Sequence, residues 1–128
     1  LLFNSFQDGK EIIISRSDFD AFGFDVMAQI KGSNMHLQIQ LKAFSGKASS
    51  WDVHKSLLRN ENGRIVIAKV TPLDDKIKID YYYLPKSKYE ETISRNPKKP
   101  HDEKCKVNKG DLEIIQPNHF IKFLFLNF

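Results

Sequence analysis

The chain is predicted to fold as an α/β domain on a mixed central sheet, because three patterns follow one another in a telling order. Two adjoining segments, Phe24 to Lys31 and Met35 to Ala43, alternate apolar and polar residues strictly; an amphipathic stretch follows; then comes the continuous apolar run Arg64 to Val70. Period-two alternation is the mark of a half-buried strand, since successive side chains point to opposite faces. A strand apolar on both sides must be covered on both sides, and a helix lying between strands supplies such cover in a layered domain. The 128 residues, 41% of them hydrophobic, suit one domain with one core.

Taken in order, Leu1 to Phe6 reads as the tail of a helix truncated upstream, and Gln7-Asp8-Gly9-Lys10 as a turn. Glu11 to Ser15, with three consecutive isoleucines, is a strand by its β-branched content. Arg16 to Gly23 is a polar loop. In the first alternating segment Phe24, Val26, Ala28 and Ile30 point one way and Asp25, Met27, Gln29 and Lys31 the other; in the second, Leu37, Ile39 and Leu41 oppose His36, Gln38, Gln40 and Lys42. Gly32-Ser33 between them suits a two-residue hairpin turn, glycine providing the positive φ of a type II′ turn. That turn pairs Lys31 with Asn34, which sets Asp25 across from Gln40 with Lys42 a diagonal neighbour. A three-residue turn would mix apolar and polar faces.

Phe44 to Ser49 is a loop. Ser50 is placed to cap a helix running from Trp51 to about Asn60, with Trp51, His54 and Leu58 on one side and Asn62-Gly63 ending it. After the apolar strand, Pro72 to Asp75 is a turn, Ile77 to Leu84 a strand, Lys88 to Arg95 a short helix, Pro97 to Lys109 a basic loop, and Asp111 to Ile115 and His119 to Phe128 terminal strands.

Composition narrows the function classes. No apolar run approaches the ~20 residues that span a bilayer, and the apolar Leu1-Leu2-Phe3 has neither the basic flank nor the cleavage site of a signal peptide. A single cysteine, Cys105, excludes an intramolecular disulfide, so a cytoplasmic location is the expectation. The net charge of +4 is carried by the segment from 85 to 110, with eight lysines and arginines against four acids. Such a segment suits either a polyanionic partner or simply a solvated loop.

Asp20-Ala21-Phe22-Gly23-Phe24-Asp25, a hairpin, Gln40-Leu41-Lys42, a helix and a hydrophobic strand together resemble the PD-(D/E)XK nuclease superfamily, in the Gln-x-Lys form of Mrr-like restriction endonuclease domains. The resemblance covers residues 11 to 70, with 71 to 128 as C-terminal additions. It implies a restriction-endonuclease-like core, a mixed central sheet flanked by helices, with extra C-terminal strands. It implies a Mg²⁺-dependent (or Mn²⁺-dependent) endonuclease acting on DNA, with Asp25, Gln40 and Lys42 as the catalytic cluster. Asp25, the Gln40 amide oxygen and the Leu41 carbonyl would hold the metal, and Lys42 would serve the attacking water. The family's helix-borne acid has no obvious counterpart here; Asp8 or Glu11 would have to substitute, and Asp18 and Asp20 lie near Asp25 in sequence. A homodimer, or fusion to a recognition or motor domain, is the family's expectation; a membrane partner is not.

The residues make chemical sense by themselves. Mg²⁺ takes oxygen ligands, often from only one or two side chains, and lowers the pKa of bound water. Ser45 and Lys47, just past the motif, are candidate phosphate contacts. Gln in place of an acid leaves an alternative open, a nuclease fold that binds nucleic acid or a protein without cutting. Three weaker features have blander alternatives. His101 with Cys105 is two ligands short of a zinc site. Tyr81-Tyr82-Tyr83 near Lys76, Lys78 and Lys86 suits either base stacking or an ordinary half-buried strand. Trp51 and the apolar stretch Phe120 to Phe128 read as core or, for the latter, an interface.

Overall fold

The computed structural model describes residues 2–7, 10–16, 26–30, 36–95 and 103–115. Strands β1 (Leu2–Gln7), β2 (Lys10–Arg16), β3 (Val26–Ile30) and β4 (His36–Phe44) form an antiparallel meander. The chain then makes strand β5 (Ser50–His54) and one turn of helix, α1 (Lys55–Leu58), before β6 (Gly63–Pro72) returns parallel to β4. Strand β7 (Ile77–Tyr83) folds back on β6. A short 3₁₀ turn, helix α2 (Tyr89–Ile93), β8 (Lys104–Asn108), a second 3₁₀ turn and β9 (Glu113–Ile115) complete the described chain. The result is a mixed seven-stranded sheet in the order β1-β2-β3-β4-β6-β7-β9, and an antiparallel ribbon of β5 and β8. An α/β arrangement on a mixed sheet is therefore present, with few and short helices.

The hairpin register is the one expected from the alternation. Val26 pairs with Ile39, Met27 with Gln38, Ala28 with Leu37 and Gln29 with His36. Each face of the sheet then has its own core. On one, Ala28, Leu37, Ile39 and Val66 are buried, with Val26 and Tyr81 against them. On the other, Ile65 and Ile67 of β6 and Leu84 meet Val53 of β5, Leu57 and Leu58 of α1, Tyr89 of α2, and Cys105 and Val107 of β8. This explains why β6 is a continuous apolar run, since it is covered on both faces. Burying each such aliphatic side chain contributes about 1.5–3 kcal/mol.

Three elements differ from the sequence expectation. Residues 2–7 form strand β1, not a helix tail, with Gln7 paired to Lys10; Asp8-Gly9 between them lie outside the described residues. Residues 50–54 form a strand, and only Lys55–Leu58 is helical, so Ser50 caps nothing. The cause is β8: Ser50 to His54 pair with Asn108 to Lys104, and the ribbon buries Val53 and Val107. Residues 104–108, expected as part of a loop, are accordingly an edge-to-edge partner with alternating burial. The other expectations for 77–84, 88–95 and 111–115 agree with β7, α2 and β9 within a few residues. The turn at Gly32-Ser33 and the stretch 119–128 lie outside the described residues.

The ribbon's far end is fastened by one charged pair. Arg95 at the end of α2 grips both oxygens of Asp111, one arm at 3.0 Å, and Asp111 also accepts the Asn108 backbone N–H at 3.0 Å. The Arg95 hydrogen bonds hold the Asp111 carboxyl below the usual carboxylate range. A carboxyl whose folded-state pKa is depressed adds stability above its unfolded value of about 3.9, and that stability is lost as the pH falls through the folded value. The Asp111 side chain is 10% exposed, so Asp111→Asn is expected to cost about 2 kcal/mol at pH 7. Urea denaturation of the two proteins should show this gap shrinking in acid below the ordinary carboxylate range. A gap that is constant with pH would assign the loss to packing instead of charge.

Candidate active site

The residues of the Gln-x-Lys motif sit on β4, the strand that turns the sheet from antiparallel to parallel pairing. Its neighbours there are Gln40 beside Ile65, Leu41 beside Val66 and Lys42 beside Ile67 of β6. Alternation puts Gln40, Lys42 and Phe44 on the face that meets α1 and the β5–β8 ribbon. Leu41 projects to the other face, where its side chain is 41% exposed.

Gln40 is 4% exposed, and the hairpin face expected to be wet is covered. Its Oε1 accepts the backbone N–H of His54 at 3.2 Å. The reason is geometric. His54 is the last residue of β5, and the side-chain amide takes up its N–H where the chain enters α1. Two residues earlier, Gln38 Oε1 accepts a hydrogen bond from Asn60 Nδ2 at 2.6 Å, fastening the same face to the turn before β6. Lys42, about 7 Å beyond Gln40 along the strand, is half-buried, and no ion-pair partner for it occurs among the described residues. Asp25, the third member of the candidate cluster, lies outside the described residues, as do Asp8, Asp18 and Asp20. The residue that follows Asp25, Val26, is paired with Ile39, the residue before Gln40.

Among the described residues no group of three or more His, Cys, Asp or Glu side chains could hold a metal ion. The donors near Lys42 are the Gln40 amide oxygen and the Leu41 backbone carbonyl. Both are hard, neutral oxygens, of the kind Mg²⁺ accepts. The carboxylate needed to complete such a set would be Asp25.

Beyond Lys42 the same face opens into a cleft of about 510 Å³ lined by Phe44, Gly46, Lys47, Ala48, Ser49, Lys69 and Lys109. It lies at the carboxyl end of β4, where the β4–β6 pairing ends at Phe44 and Lys69 and β6 continues to Pro72. Phe44, among its lining residues, packs on Trp51, the rings 5.0 Å apart and inclined at 54°. Gly46, at φ 76°, lets the loop turn back toward β5 in a conformation that other residues adopt only with strain. Lys109 N–H donates to the Ser49 carbonyl at 2.9 Å, which ties the two walls together. Lys47 is thus brought to the cleft, whereas Ser45 is exposed and does not line it. Lys69 carried no signal in the sequence, and Lys109 only that of the basic segment to which it belongs. One is embedded at the end of an apolar strand and the other in a basic stretch, and only the sheet register and the β5–β8 pairing bring them to Lys47.

The remaining sequence candidates are structural. Cys105 is buried in the core between Val53 and its neighbours, and burial pushes its thiol pKa up, the opposite of a metal-binding thiolate; His101 lies outside the described residues. Tyr83 is buried and donates to Glu113 at 2.7 Å, its pKa pushed up to about 12 first by burial. Tyr81 and Tyr82 pack against the two cores, one on each face. None of the three presents a free ring for stacking on a base. Compared with family models, with curated proteins and with solved structures, the chain finds no match.

Proposed function

We propose that this chain is a metal-dependent endonuclease domain with a restriction-endonuclease-like core, hydrolysing phosphodiester bonds of DNA. The observation that carries the reading is the β3–β4 register, Val26 with Ile39, with Gln40 and Lys42 on the strand between β3 and β6. The succession of strand, hairpin, crossover and doubly covered strand supports it. Asp25, Gln40 and the Leu41 carbonyl would hold the ion, and a Mg²⁺ or Mn²⁺ bound there supplies polarisation of the phosphate and a more acidic water. The Lys42 side chain is half-buried, a position from which an ammonium group would stabilise charge developing on the phosphate more strongly than in bulk water.

A second reading is favoured by one observation. The Gln40 oxygen is already engaged by His54 N–H and the residue is nearly buried, as befits a structural amide in a fold that binds nucleic acid without cutting it. The two readings part in one assay. Supercoiled plasmid incubated with the domain is expected to be nicked in Mg²⁺ or Mn²⁺ and left intact in EDTA. Intact plasmid under every metal, with salt-sensitive binding retained, would favour the binding module; nicking unaffected by EDTA would overturn the metal-dependent mechanism.

A further inference from the structure

We infer that the lysine-lined cleft at the carboxyl end of β4 grips the phosphate backbone of a nucleic-acid strand, next to the bond that would be cut. The inference deepens the nuclease reading and rests on it for the position of the scissile phosphate. Three lysines enter one cleft of about 510 Å³ from three separate elements: Lys47 from the loop after β4, Lys69 from β6 and Lys109 from the turn after β8. Among the described residues no acid lines it and none of the three ammonium groups is within ion-pair distance of a carboxylate; the acid across the β6–β7 ladder from Lys69, Asp80, is paired to Lys78. Elsewhere the pattern differs, since Lys78, Lys88 and Lys106 each have a carboxylate within 4.0 Å. Like charges around one cleft repel one another, and an arriving polyanion removes that cost while releasing its own condensed counterions.

The position of the cleft adds to this. Open α/β sheets bind ligands outside the carboxyl ends of their strands, where successive loops diverge. Here the chain leaves β4 through Gly46 toward the β5–β8 ribbon, and the crevice opens between that loop and β6. Lys42 precedes Phe44 by two residues on the same face, as Ile67 precedes Lys69 on β6. A strand lying in the cleft therefore runs toward the motif. The walls are held before any ligand arrives, by Lys109 N–H on the Ser49 carbonyl and by the Arg95–Asp111 fork behind the Lys109 turn. None of the lysines reads a base edge from such a place, so binding is expected to be sequence-independent.

The test is fluorescence anisotropy of a labelled oligonucleotide duplex in EDTA, so that no cleavage occurs, across a salt series. The variant is the triple substitution Lys47→Gln, Lys69→Gln, Lys109→Gln, and a second triple, Arg59→Gln, Lys76→Gln, Lys104→Gln, removes equal charge from exposed places elsewhere. Circular dichroism checks that both are folded. The cleft variant is expected to bind at least tenfold more weakly at low salt. Its log-affinity against log-salt slope should shrink by about 0.9 for each phosphate that is no longer neutralised, while the control triple stays within about twofold of the parent protein. Equal weakening in both variants, parent-like binding by the cleft variant, or no binding by the parent protein would each overturn the inference. Equal competition by anionic lipid vesicles or by polyglutamate would overturn nucleic acid as the occupant. The nuclease reading fails separately: cleft-dependent binding without metal-dependent nicking keeps this inference and discards catalysis, whereas nicking unimpaired in the cleft variant does the reverse.

Discussion

Lys42→Ala is expected to slow metal-dependent plasmid nicking by about 10²–10³-fold, the usual loss when one preorganised charge facing a developing oxyanion is removed. The lysine is well placed for so large an effect and poorly placed to matter for folding. It is half-buried beside Ile67, on the strand shared by both pairing modes of the sheet, with no ion pair to break among the described residues. Its removal should shift stability by no more than about 0.5 kcal/mol. DNA affinity should also hold, because the cleft lysines supply the phosphate contacts. Lys42→Met, which keeps the aliphatic stem, should be as inactive as Lys42→Ala, while Lys42→Arg should recover part of the rate through its charge. The pattern to measure is initial nicking rate against urea midpoint for the three variants. Parent-like nicking by Lys42→Ala would place the chemistry elsewhere.

Gly63→Ala is expected to be the most damaging single methyl in the described chain. A Cβ at Gly63 would collide with the Leu57 carbonyl oxygen and stand 2.9 Å from its carbon, both backbone atoms that no side-chain rotation can move. The end of α1 would have to lift away from β6, yet Leu57 is among the most buried residues of the larger core. The surroundings resist as well. Gly63 N–H donates to the Asn60 carbonyl at 2.9 Å, and the Gly63 carbonyl accepts both the Tyr89 hydroxyl and the Arg64 guanidinium at 2.9 Å. Overpacking of this kind costs typically 1–3 kcal/mol and occasionally more; with backbone as the obstacle, about 3 kcal/mol or more is expected in denaturant titration. Nicking by the fraction still folded should be impaired too, because Gly63 pairs with Gln38 and so begins the β4–β6 register that carries Gln40 and Lys42. An alanine tolerated without loss would show that α1 does not sit so close to β6.

Gly63 also illustrates where sequence reasoning and structure part. Asn62-Gly63 reads as a helix stop, and the chain does leave its helix just before it. Yet Gly63 is the first residue of β6 and has no positive φ, unlike Gly46. It is glycine because two backbones meet there, which no local pattern reveals. Ser50 to His54 is a similar case. The alternation of Trp51 and Val53 with Ser50, Asp52 and His54 is a strand signal five residues long, too short to outweigh a serine in a capping position followed by helix-compatible residues. Pairing with Lys104 to Asn108 decides it, and that partner is distant in sequence.

Local pattern was enough to specify the hairpin and the strand beside it. A slip of one residue in β3 against β4 would set the apolar face of one strand against the polar face of the other, so hydrophobic alternation, together with the two-residue turn expected at Gly32-Ser33, selected the pairing of Val26 with Ile39. The unbroken apolar run of β6 likewise required cover on both faces. What supplies that cover, and what meets at its edge, came from the assembled fold. Packing buried Gln40 under His54, made Cys105 part of a core, and brought Lys47, Lys69 and Lys109 to one cleft. Periodicity records which way a side chain points, whereas a site depends on which distant strands come to lie beside it, and that is set by burial and backbone pairing summed over the whole fold.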